Sequence, residues 1–90
     1  MNDWSARRAV EFALAEIEIG SLWLSLAKID RSTLPAHLVG ARYACAEVRR
    51  HLAHASRDPL YGNVEASLDN LLAEIDSLDR ENESGAASSA

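Results

Sequence analysis

The sequence predicts an all-α domain, a three-helix up-down-up bundle with a long, two-faced first helix, expected to associate as a homodimer. Three observations lead there. Apolar residues recur at steps of three and four in three successive segments, which is the period of a helix. The breaks between those segments are short, so neighbouring helices should run antiparallel. The first segment also carries more apolar circumference than a helix covered from one side needs. The expected domain spans residues 1–83, with helices over about 3–30, 34–57 and 60–82, followed by a disordered polar tail over 84–90.

The first helix can start at Asn2 or Asp3, whose side chains can cap the open amides of a first turn. Nothing breaks it before Asp30-Arg31-Ser32-Thr33 except Gly20-Ser21 at its middle. Val10, Ala13, Ile17, Gly20, Leu24 and Ala27 form one heptad seam, alternating large with small residues. A mid-helix glycine costs about 1 kcal/mol relative to alanine, so Gly20 reads as a packing choice that lets another helix come close. Phe12, Ala15, Ile19, Leu22, Leu26 and Ile29 form a second seam, centred about 160° around the helix from the first. Trp23 lies between the two. A helix with two apolar stripes is expected to be covered from two sides, by its own bundle and by a second subunit.

The second helix follows Thr33-Leu34-Pro35, where Thr33 can cap and a first-turn proline is tolerated. Its single seam is Leu38, Ala41, Cys45, Val48, Leu52 and Ala55, and Asp58-Pro59 ends it. The third helix carries Val64, Leu68, Leu71, Ile75 and Leu78, with Tyr61 ahead of them. Ser84-Gly85-Ala86-Ala87-Ser88-Ser89-Ala90 is small and polar, hence the expected disorder.

Size and composition narrow the function classes. Ninety residues make one small domain, whose core is marginal without help from disulfides, metal or oligomerisation. Cys45 is the sole cysteine, which excludes an internal disulfide, and one Cys with three His lacks zinc-finger spacing. Oligomerisation remains. Ala13–Ile29 is the most apolar stretch but contains Glu16 and Glu18, and a span needs about 18 apolar residues in a row. No basic region leads into an apolar core at the N-terminus, so a cytoplasmic location without membrane association is expected.

The net charge of −5 is uneven. Residues 31–58 hold five arginines against Glu47 and Asp58, whereas residues 59–90 hold Arg80 against seven acids. A basic middle and an acidic end can attract each other. The acidic total argues against nucleic acid as a partner.

One polar stripe stands out on the second helix. Tyr43, Glu47, Arg50, His54 and Arg57 step by 4, 3, 4, 3 opposite the apolar seam. They combine an acid, a base, an imidazole and a phenol, suited to general acid–base work or to charged docking, though i,i+3 and i,i+4 pairs also decorate ordinary solvated faces. Glu47, His51 and His54 share a narrow arc that could approach a metal, but no fourth ligand is evident and the Glu-x-x-His pairing of helical di-iron sites is absent. No metal or other cofactor is expected. Arg49 and His54 have an Arg-x4-His spacing that resembles the HEPN-type helical ribonucleases over six residues. That resemblance implies a small dimeric enzyme using His54 with Arg49 or Arg50. The two side chains diverge by about 140° on a straight helix. Phosphate-binding and nucleophile-elbow motifs are missing. Cys45 lies within a seam, where a thiol packs as a small hydrophobe.

The resulting expectation is a non-enzymatic protein-interaction module, working as a homo-oligomer and acting as adaptor, regulator or inhibitor of a larger, unidentified protein partner. Phe12, Ile19, Leu22, Trp23 and Leu26 are the expected oligomer interface, and the second-helix stripe is the expected interaction surface. The HEPN-like ribonuclease is the alternative. A small ligand held in an apolar groove near Trp23 is a third reading.

Overall fold

Three helices pack side by side in a computed structural model that describes residues 3–89, and of residues 3, 4 and 84–89 the backbone alone. Helix α1 covers Asp3–Ile29, α2 covers Leu34–Leu52 and α3 covers Tyr61–Ser89. A single 3-10 turn, Arg31–Thr33, joins α1 to α2. The Asn2 alternative for the first cap lies outside the described residues.

The first seam of α1 is the inward one. Val10, Ala13, Leu24 and Ala27 are buried against Leu38, Ala41, Cys45, Val48 and Leu52 of α2 and against Val64, Leu68, Leu71, Ile75 and Leu78 of α3. Each of these runs repeats at 3 and 4, so one face of each helix leaves water and the burial drives the packing. Gly20 sits where the three helices meet. A Cβ built on it would stand 2.8 Å from Leu71 Cδ2 and 3.4 Å from the Ala44 Cβ. Its missing side chain therefore serves the protein's own bundle.

Gly40 plays the same part between α1 and α2, and sequence spacing did not single it out. Its hypothetical Cβ would lie 2.7–3.0 Å from three atoms of the Trp23 indole. Trp23 lies flat in the gap that Gly40 leaves, half-buried, with its ring 5.3 Å from that of His37.

The α1–α2 turn is held by Asp30, whose Oδ1 accepts from the Ser32 amide and hydroxyl. Those bonds keep the Asp30 carboxylate below its ordinary pKa. Thr33 does not cap α2 with its side chain. Its hydroxyl donates to the Asp30 carbonyl, which leaves Oγ1 to accept from His37 Nδ1 at 2.8 Å.

Two boundaries differ from those the sequence predicts. Helix α2 ends at Leu52 rather than near Arg57, and residues 53–60 form a chain of tight turns. Ala55 and Asp58 donate their amides to the carbonyls three residues back, and Tyr61 donates to Asp58. Asp58 anchors these turns. Its carboxylate, with the side chain only 3% exposed, takes the guanidinium of Arg7 through Nε at 2.8 Å and Nη2 at 3.3 Å. It also accepts the Leu60 amide at 2.8 Å, so one side chain ties the start of α1 to the start of α3. The α3 backbone continues to Ser89, where the sequence predicts disorder from residue 84. No proline interrupts that stretch, and Ala86 and Ala87 extend a helix already nucleated.

Candidate functional site: the face of α1 and α2 turned away from α3

Among the described residues the second seam of α1 stays largely uncovered, and only Phe12 at its start meets a side chain of α2. Phe12, Ile19, Leu22, Leu26 and Ile29, with Val39 and Tyr43 of α2, are 39–81% exposed. Ala15 is exposed with them. At about 100° per residue, the stripe is centred nearly opposite the residues of α1 that meet α3, namely Gly20 against Leu71 and Lys28 against Glu74. Toward its α2 edge it continues into contacts between the helices, with Phe12 stacked on His51 and Trp23 over Gly40. On α2, Tyr43 turns away from Arg42, which reaches α3 through Asp79 at 2.9 Å. The apolar seam of α1 and the polar stripe of α2, read as two surfaces from sequence, therefore border one another on a single face.

The five residues expected at an oligomer interface divide accordingly. Phe12, Ile19, Leu22 and Leu26 are exposed on this face, and Trp23 forms its half-buried floor. Ile29 of the second seam belongs to the same surface, whereas exposed Val39, one turn before Tyr43, and the stacking of Phe12 on His51 were not singled out. Arg8 adds a cation 5.8 Å over the Phe12 ring.

The polar stripe of α2 is only partly brought together. Arg50 grips half-buried Glu47 through Nε and Nη2, at 3.0 and 2.6 Å. The bonds to Glu47 raise the pKa of Arg50 further. Tyr43 lies one turn before them, exposed. His54 and Arg57, expected to extend the stripe, lie beyond the end of α2 in the turns that follow, so the line breaks at Leu52. Arg49 points to the other flank. It lines a cleft of about 260 Å³ between α2 and α3 with Leu52, Ala53, Tyr61, Glu65, Leu68 and Asp69. The Glu65 carboxylate pushes the Tyr61 phenol above its ordinary value, aided by burial.

Other candidates can be placed as well. Arg42 pairs with Asp79 of α3, and Arg49 shares the cleft with Glu65 and Asp69. Arg31 reaches Glu81 at 3.1 Å, so the basic middle and acidic end of the chain do pair. Such exposed pairs add little stability individually. Cys45 is buried, and burial raises its thiol pKa, the direction opposite to that of an activated nucleophile. Among the described residues no cluster of three His, Cys, Asp or Glu is placed to hold a metal ion, and no helix is long and apolar enough to cross a membrane.

Comparison with family models, with curated proteins and with solved structures returns no match.

Proposed function

We propose that this chain is a protein-interaction module, an adaptor, regulator or inhibitor of other proteins, and that its working surface is the apolar face of α1 and α2. One observation carries the reading. Seven large apolar residues exposed by 39–81%, at roughly 150–200 Å² apiece, leave about 600–800 Å² of apolar surface on one side of a small domain. The largest such patch on an ordinary monomer is about 300–600 Å², and larger ones mark sites of association. The face also has the anatomy of a contact surface: an aliphatic and aromatic centre, with Glu47, Arg50 and Arg8 at its edge. Its centre holds no convergent set of titratable groups, so docking suits it better than proton transfer.

Photo-crosslinking tests this. With p-benzoylphenylalanine in place of Leu22, irradiation of the protein in extract of the cells that produce it should give discrete protein adducts, whether with a second copy or with another protein. The same residue in place of Leu14, exposed but off the face, should give none of them. No protein adduct at position 22, or adducts with nucleic acid or lipid alone, overturns the proposal.

A further inference from the structure

Resting on that reading, we infer that the occupant of the face is a second copy of this chain. The two copies pack α1 against α1 antiparallel about a two-fold axis, with the α3 helices on the outside. The spacing of the stripe supports this. An axis between positions 20 and 21 maps the stripe onto itself, placing Phe12 opposite the neighbour's position 29, Ala15 opposite 26 and Ile19 opposite 22. A two-fold contact requires such self-complementarity, because one patch must fit its own copy. Large residues repeat at heptad steps except at Ala15, which faces the large Leu26 of the neighbour, so the two rows can interdigitate as knobs into holes.

Area and charge agree with the arrangement. The face offers about 600–800 Å² of apolar surface, and a standard stable interface takes roughly 800 Å² from each partner. Tyr43 and Val39 flank the α1 stripe and complete the contact at its side. The chain carries −5, which opposes self-association if the charge lies at the contact. Most of it does not: residues 59–90 hold seven acids and one arginine, and α3 packs on the opposite side of α1. The edge of the face carries Arg8 and Arg50 against Glu11, Glu16, Glu18 and Glu47, a net −2 beside the −6 of residues 59–90. Glu47 is already held by its own Arg50, so it enters a contact as half of a pair.

Light scattering on the full chain at 10–200 μM tests the inference. Twice the chain mass of 9.8 kDa is expected, falling to a single chain in Ile19→Glu and in Leu22→Glu with helical circular dichroism unchanged, since both side chains are exposed within one chain. A single-chain mass for the unaltered protein overturns it, and so does a double mass that survives both substitutions. Should the glutamate variants unfold, cysteine pairing decides. An air-oxidised mixture of Ile19→Cys and Leu22→Cys chains should give mainly the mixed disulfide, as opposite positions of an antiparallel pair. Like-with-like disulfides in equal or greater yield overturn the arrangement. Protein adducts at position 22 with other proteins alone, beside a single-chain mass, leave the interaction module standing and remove only the self-pairing.

Discussion

Replacing Gly40 by alanine sets two effects of known sign against each other. In a helix interior the change gains about 1 kcal/mol of helix propensity. At this position the new methyl would lie 2.7, 2.8 and 3.0 Å from Trp23 Cε2, Cδ2 and Nε1, well inside the 3.5–4.0 Å at which carbon atoms rest. The obstacle is a rigid indole and not the tip of a flexible chain, so the ring must swing out or α1 must move from α2. Overpacking of this kind costs about 1–3 kcal/mol. The balance is a net loss of about 1 kcal/mol, or about 4–8 °C in Tm for a domain of this size. Gly62→Ala is the control, because nothing lies within 4 Å of a Cβ there, and its Tm should rise or hold. Thermal melts should be read beside Trp emission in a Trp4→Phe background, where displacement of Trp23 shifts the spectrum to the red. A Tm for Gly40→Ala that rises as far as that of Gly62→Ala, with emission unchanged, would refute the close α1–α2 approach on which the face is built.

Gly20→Leu should destabilise by about 1–3 kcal/mol through crowding of Leu71 and Ala44, and a clear rise in Tm would show that Gly20 faces open space. The Asp58 carboxylate is held below its ordinary pKa by its hydrogen bonds to Arg7 and to the Leu60 amide. A lowered folded-state pKa stabilises fully above the unfolded value near 3.9 and loses that stabilisation as pH falls through the folded value. Melts from pH 7 to 2 should therefore show a drop beginning near pH 5 that Asp58→Asn flattens, together with a lower Tm for that variant at pH 7; parallel curves would contradict the role given to Asp58. Cys45 should resist iodoacetamide at pH 8 until the chain unfolds, since it is buried with a raised pKa, and immediate labelling of the native protein would place it at the surface.

The helical periods could be read from the sequence because each helix answers to one physical demand, the burial of a stripe. Val10, Ala13, Leu24 and Ala27 meet that demand within the chain. The second seam was legible as surplus for the same reason, since Ile19 and Leu22 have no side of the bundle left to fill. The end of α2 was not legible. Ala53 to Arg57 contains no breaker, and the bond that anchors the turned segment joins Arg7 and Asp58, 51 positions apart. The early end of α2 also carried His54 and Arg57 off the stripe that had been drawn along a straight helix. The pairing of Gly40 with Trp23 was hidden likewise, because a glycine records that space is needed and not which side chain needs it. Local pattern reports on the helix that bears it, and only contacts across helices decide register, ends and the sharing of a face.

Side-chain methyl NMR with a soluble paramagnetic agent tests most directly the proposal that the face is covered in solution. Leu14 supplies an internal standard, being 40% exposed away from the face, much like Ile19 at 45% and Leu26 at 39% within one chain. In the assembled protein the methyls of Ile19, Leu22 and Leu26 should be protected while those of Leu14 relax strongly, and dilution should remove the difference. Equal attenuation at all four residues at high concentration would show that the face stays bare, and would contradict its assignment as the surface through which this protein associates.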